Sequence, residues 1–362
     1  MPEKIVDLHQ DLSAMAHQTR EGDNRPHFGH RKDHHKLGNV FPITDYKKLD
    51  SNTPFGDKVL ASDAQGLREG NVAVVLANTY CRPEGNFHEL YPWHSDFYTG
   101  LFEERSDIIV PVFNGAQLTV ALENPDKKTA AIRSVEGIYG WNEDLALVDR
   151  LWADGVRSLI PVHNNDSNIG TGHPTKENYG LTPIGKQLVK KAAERGFIID
   201  LSHLSDKSSE DVLDITERVT DRPPIISHTG SRALVPDETR STQDELAVEV
   251  ARRGGLIGIM PAKWLVEPNP ADATVASVVR MIDHYLDLFW DEGISNPEKR
   301  LAIGTDFCGM GTESVISGLE TITKLGPTLR TAMKGNQYPD HIITGILSGN
   351  AITFLSQWLP KE

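Results

Sequence analysis

The sequence predicts an α/β fold, a (β/α)8 TIM barrel with long lid-like insertions after strands one and two. Three observations carry that expectation. Eight short runs rich in β-branched residues, each bounded by Gly, Pro or polar clusters, alternate with longer segments of helical spacing. Such alternation is the mark of repeated βα units around a parallel sheet. Apolar residues make up 38% of the 362 positions, enough for a large core. Finally, metal-binding residue types collect at the ends of the runs, where the βα loops of a barrel converge. One domain over residues 1–362 suffices at this length once insertions are counted.

The strands are expected at residues 4–9, 71–79, 129–137, 156–163, 197–203, 224–228, 256–261 and 301–307. After the first, residues 12–62 are polar, rich in His, Gly, Asp and Lys, and too long for an ordinary βα loop, so they are expected to fold over the barrel top. After the second, residues 87–124 carry Trp93, Tyr98 and a strand-like IIVPVF, a second candidate lid. Between the fourth and fifth, Ile184, Leu188, Val189 and Ala192 fall at helical spacing, with Thr182-Pro183 as the start signal and Gly196 as the stop. Residues 206–219, 243–253, 274–290 and 339–358 read as helices in the same way.

Charge and cysteine content narrow the function. A net charge of -14 with no basic block argues against nucleic acid or an anionic membrane surface as partner. Two cysteines, Cys81 and Cys308, are too few for a disulfide framework or a cysteine-rich zinc module, and they suit a reducing compartment. No stretch approaches the roughly 20 apolar residues of a membrane span. With no basic-then-apolar leader, the expected location is cytoplasmic and the Asn165-Asp166-Ser167 sequon is read as chance.

The polar strand ends set the chemistry. Strand one ends in DLHQDL, where alternation puts Asp7, His9 and Asp11 on one face; later strands end on Glu136, His163, His203, His228 and Asp306. Carboxylates at this density in a barrel mouth need cations to offset repulsion and desolvation. Imidazole and carboxylate donors suit zinc and its neighbours. Five donors are too many for one open tetrahedral ion, so two ions sharing a carboxylate are expected. His9, Asp11 and Glu136 would serve one, and His203, His228 and the same Glu136 the other, with a hydroxide completing the bridge. Such a site activates water at neutral pH and polarises a scissile carbonyl.

The stretches DLHQDL, SVEG, PVHNN, YGLTPIGKQLVKKAAERGFIIDLSHLS, PPIISHTGSRAL, IGTDFCG and ILSGNAITFL run nearly end to end. On these the chain resembles the membrane (renal) dipeptidase family of the amidohydrolase superfamily. The resemblance implies a binuclear zinc barrel that hydrolyses dipeptides, some with a D-residue at the C-terminal position; the sequence leaves the oligomer open, a homodimer among the options. It gives the same five ligands the same roles. It also implies that His163 contacts the tetrahedral intermediate, that Arg232 grips the substrate carboxylate, and that Asp306 moves the proton of the attacking water to the leaving amine. Departures are visible as well. Cys308 stands where the family commonly has an acidic residue, and Thr239-Arg240-Ser241 stands in place of an Arg-Asn pair, so that Arg240 is read as a structural group or one that supports the site residues from behind.

Other residues receive plainer readings. His17, His27, His30, His34 and His35 are expected to form part of a solvated lid. Asp7 and Asp200 flank ligands and are expected to hydrogen-bond rather than ligate, while Trp93, Tyr98 and Tyr139 are expected to pack. Two rivals to a zinc dipeptidase stand. One is a related amidohydrolase acting on a non-peptide amide, lactam or lactone, which would not require Arg232; the other is a catalytically silent metal-binding homologue.

Overall fold

The computed structural model describes residues 4–13, 64–81, 86–124, 126, 128–175, 177–307, 309, 313–316 and 321–361. The described residues form nine strands: β1 (Ile5–Gln10), β2 (Val72–Tyr80), β3 (Ile109–Pro111), β4 (Thr129–Glu136), β5 (Val156–Ile160), β6 (Ile198–Ile199), β7 (Ile226–Thr229), β8 (Ile257–Ile259) and β9 (Leu301–Ile303). Eight of them follow one another side by side in the order β6-β5-β4-β2-β1-β9-β8-β7, and β3 lies off this path against β4. All pairings between these strands are parallel, as βα repetition requires.

The two ends of that path meet. Asp200 bridges Ile225 in parallel, Ile225 N donates to Ile199 O at 3.0 Å, and Leu201 N donates to Ile225 O at 2.8 Å. The wall therefore closes into a barrel through a short seam. A second short seam joins β1 to β9, which register at Asp7 and Ile303 and bridge again at Gln10 and Phe307. At each seam an aspartate side chain supplements the backbone ladder. Asp7 accepts from Thr305 N at 2.8 Å, and Asp200 accepts from Ser227 N at 3.0 Å. The wall is thus a five-strand sheet and a three-strand sheet joined along two seams.

All eight expected strands form, several of them shorter at the C-terminal end. β5 stops at Ile160, β6 at Ile199 and β9 at Ile303. The polar residues beyond them leave the extended region: His203 has φ 69° and Asp306 φ 55°. Non-glycine residues held there signal a locally over-determined backbone, which is common at functional sites.

Apolar residues divide into a lumen and a jacket. Val6, Leu8, Leu76, Ile132, Ile198 and Ala302, from five of the strands, and Ile225 and Leu256, just before β7 and β8, fall in one buried cluster with Phe354 and Leu355 of the C-terminal helix Asn350–Trp358. This cluster floors the barrel beneath the polar strand ends. The alternate residues, such as Val75 and Ala77, join the cluster that includes Leu188, Val212 and Ile282 of the surrounding helices.

The helix Pro183–Arg195 begins and ends on the expected signals. Thr182 accepts from Gly185 N, and Gly196 closes the helix at φ 115°, a left-handed conformation that suits a residue without Cβ. The run expected as one helix over residues 339–358 is instead Asp340–Thr344, a widened turn Gly345–Gly349, and Asn350–Trp358. Asn350 at that junction reaches out to the carbonyls of Glu298 and Leu301, at 2.7 and 2.8 Å.

The long insertion after β2 is built into the wall. Its helix Phe87–Glu104 buries Phe87, Leu90, Tyr91, Phe97 and Tyr98, and β3 pairs with residues 129–131 at the start of β4, remote from Glu136. A further helix, Gly115–Glu123, buries Leu118 and Ala121 against the floor cluster. The aromatics of helix Phe87–Glu104 explain the placement, since they gain more by burial than by standing over a wet mouth. The segment expected as a lid after β1 lies outside the described residues except at its edge.

Candidate metal centre

His9 is the penultimate residue of β1, Asp11 lies just past its end, Glu136 is the last residue of β4, and His228 lies in β7. His163, His203 and Asp306 sit just past β5, β6 and β9. The strand ends bring all seven together. Three overlapping groups, His9/Glu136/His228, Glu136/His163/His203 and His9/Asp11/Asp306, each offer ligand atoms within 4.8 Å of one another.

A bulge in β1 aims the first pair. Asp7 registers with Val75 and Gln10 with Ala77, so three steps on β1 oppose two on β2. Simple alternation placed Asp7 with His9 and Asp11; the bulge separates them. Asp7 turns to Thr305 Oγ1 at 2.6 Å and Gln10 Nε2 at 2.6 Å, whereas His9 Nε2 faces Glu136, Asp306 and Asp11 at 3.4, 3.9 and 4.0 Å.

Glu136 is two-sided. Its Oε2 lies 3.4 Å from His9 Nε2 and accepts from Asn78 Nδ2 at 2.8 Å, while Oε1 lies 2.9, 3.7 and 4.0 Å from the Nε2 atoms of His203, His228 and His163. Asn78 Nδ2 also donates to Asp11 Oδ1 at 2.6 Å. The two imidazoles on the far side are held by their other nitrogens. His203 Nδ1 meets Asn164 Oδ1 at 2.7 Å, and His228 Nδ1 meets Ser227 Oγ at 2.8 Å. An amide oxygen accepts only, so His203 Nδ1 carries the hydrogen and its Nε2 presents a lone pair.

This donor set fits cations. The Nε2 atoms of His203 and His228 face each other at 2.9 Å, and His9 Nε2 and Glu136 Oε1 are buried without a hydrogen-bond partner among the described residues. Buried polar atoms are ordinarily paired, so a cluster of orphaned donor atoms at one point calls for a shared positive charge.

The electrostatics are consistent with that reading. Burial works against a charged His9, yet Glu136 and then Asp11 and Asp306 push it up to about 10. Burial, then Arg240 and His163, hold His203 well below the usual range; burial, then His9 and Arg240, do the same to His228. His163 is pushed down to about 4, chiefly by burial. Glu136 is held well below the carboxylate range, the imidazoles of His9 and His203 overcoming its burial, while burial and Asp11 raise Asp306 well above it.

The two arginines of the loop after β7 differ in what holds them. Arg232 is latched to Asp206 in a bidentate pair, Nη1 to Oδ2 at 2.7 Å and Nη2 to Oδ1 at 2.9 Å, and donates further to Ser241 O and Thr239 O. Little of its fork is left for a substrate. Arg240 is buried, donates Nη2 to His228 O at 3.0 Å, and its Nε finds no acceptor among the described residues. Its charge is felt by His163, His203, His228 and Asp306.

The flanking residues behave as hydrogen-bonding groups. Asp200 accepts from Ser202 N and Ser227 N, both at 3.0 Å; Tyr98 is fully buried, and Tyr139 donates its hydroxyl to Asn164 O. Asn78 and Asn164 were not singled out from the sequence, although an amide breaking the apolar run VVLANTY and one directly after His163 are visible there. Cys308 and the histidines of residues 17–35 lie outside the described residues.

Comparison with known proteins places this arrangement. Dipeptidase tcpJ of Claviceps purpurea is 30% identical over 233 residues, which is 64% of this chain and 51% of that protein. The chain spans about half the length of the curated relatives it matches. Among solved structures, dipeptidase AC superposes with a TM-score of 0.77 at 20% identity, covering 99% of each chain. A metallopeptidase from Rhodobacter sphaeroides, bound to a phosphinate mimic of the dipeptide L-Ala-D-Ala, gives 0.76 at 19% identity over 99% of this chain and 100% of that one. At these identities the structures show a shared fold. The family model for membrane dipeptidases matches residues 4–358, nearly the whole described barrel and every strand that carries the cluster. The chain belongs to the membrane dipeptidase family, peptidase family M19.

Proposed function

We propose that this chain is a dipeptidase working with two zinc ions, one held by His9, Asp11 and Glu136 and the other by His203, His228 and Glu136. The observation that carries the reading is the two-sided carboxylate of Glu136, with Oε2 towards His9 and Oε1 towards His203 and His228. When bound, such ions polarise a carbonyl and make water nucleophilic at neutral pH. Family membership and the dipeptide mimic held by the Rhodobacter sphaeroides neighbour support a dipeptide substrate, including one with a C-terminal D-residue.

The chain's own residues do the remaining work. Asp306, at the mouth with its side chain 17% exposed, takes the proton of the attacking water and returns it to the departing amine nitrogen. His163, kept neutral by burial, donates from its imidazole N–H to the carbonyl oxygen as charge develops there. For the substrate carboxylate we assign the clamp to Arg240, because the latch to Asp206 occupies Arg232.

The test is a panel of L,L- and L,D-dipeptides, each also as its C-terminal amide, offered to zinc-loaded protein. Free acids should be cleaved and amides left. Equal turnover of both would sink the clamp, and turnover of neither would favour the second reading, a hydrolase of non-peptide amides, lactams or lactones, which the occupied Arg232 supports.

A further inference from the structure

Asn78 is fully buried on β2, the strand between β1, which leads to Asp11, and β4, which ends on Glu136. Val74 and Leu76, on the same face of the strand, pack into the barrel floor, and an apolar residue would continue that packing. An amide stands there instead. Its Nδ2 donates to Asp11 Oδ1 at 2.6 Å and to Glu136 Oε2 at 2.8 Å, and its Oδ1 accepts from Ser134 Oγ at 3.1 Å, its cross-strand neighbour on β4. Carboxylates only accept, so the amide has one workable orientation and both of its N–H groups are committed.

We propose that Asn78 is a positioning residue of the metal centre, a two-pronged clamp that sets the spacing of Asp11 and Glu136 so that their free oxygens converge before a cation arrives. This rests on the metal reading above. The main chain is fixed as firmly as the side chain, since Asn78 O accepts from Ser13 Oγ at 3.2 Å and from Tyr98 OH. Tyr98 lies on the insertion helix Phe87–Glu104 and His94 Nδ1 meets Ser13 Oγ at 2.9 Å, so the added layer of the wall braces the clamp from behind. Neither Asp, which brings no donor, nor Leu, which brings no polar atom, could hold two carboxylates side by side in this way.

The experiment follows zinc leaving the loaded enzyme for a colorimetric chelator in wild type, Asn78→Ala and Asn78→Ser. Loss of partners that orient metal ligands commonly weakens metal binding by about 10–100-fold. Asn78→Ala should lose zinc faster by that factor, and Asn78→Ser, which keeps one donor, by less; the milder variant carries the test if the alanine does not fold. Thr129→Val is the control, because Thr129 Oγ1 donates to Val72 O at 2.7 Å at the remote end of the same two strands. It should lower the melting temperature and leave zinc loss unchanged. Wild-type zinc loss in a folded Asn78→Ser, or equal acceleration by Thr129→Val, overturns the role of Asn78 alone. A wild-type chain that retains no zinc overturns the metal centre and the clamp with it. Zinc loss that accelerates as expected in a chain inactive on dipeptides upholds the clamp and removes only the dipeptidase reading.

Discussion

Glu136 and Asp306 are carboxylates of the same cluster set to opposite tasks by their neighbours. Imidazoles hold Glu136 ionised, as the proposed ligand role requires, whereas burial and Asp11 favour the proton on Asp306. Asp306→Asn should therefore keep its metal, read by elemental analysis, and lose roughly 10²–10⁴-fold in kcat; a retained rate would remove Asp306 from the chemistry. Gly309 sets a tighter limit on the same pair. A Cβ there would come within 2.2 Å of Asp306 Oδ1 and 2.6 Å of Asp11 Oδ2. Gly309→Ala is thus expected to lower both zinc content and turnover. Arg240→Ala should cost about 10–100-fold in kcat/KM on dipeptides, the worth of a charged hydrogen bond, and Arg232→Ala less; the reverse order would return the clamp to Arg232. The cluster was legible because its residue types recur at strand ends. The arginines were not, because both lie in one loop and only Asp206, from a different βα unit, decides which is occupied.

Elements whose boundaries are written in local chemistry were legible too. Thr182, Pro183 and Gly196 frame the helix Pro183–Arg195 as the sequence indicates, and Asp206–Val219 likewise begins after a capping residue, Ser205. Thr182→Ala should cost about 1 kcal/mol through the lost cap, measured as a shift in the denaturation midpoint at constant slope. Helix Phe87–Glu104 gave a weaker signal. Pro92 lies inside it, and its aromatics serve packing contacts that exist only once β2 and β4 are in place. The β1 bulge was illegible for a related reason. Register is a property of two strands, and no periodicity within DLHQDL reveals that three residues will oppose two.

At the scale of the molecule, a barrel of eight strands with polar residues at one end was readable from the order of runs; the extra edge strand β3 was only a strand-like hint. Chelation of the metal should lower the melting temperature, because a ligand present at a thousandfold excess over its Kd adds about 4 kcal/mol to the folded state. Calorimetry with and without added zinc measures it, and identical melts would argue that no ion is bound. The two seams give that stabilisation a location. Glu136 and His203 belong to the five-strand sheet and its loops, His228 and Asp306 to the three-strand sheet, so the donor atoms converge from both sides of the seams. An ion bound among them is a rivet between two half-shells. Without it, the half-shells are free to breathe apart as units, and amide hydrogen exchange at Leu201, Ile225, Ser227 and Thr305 should quicken in concert while the paired interior of β2 and β4 stays slow.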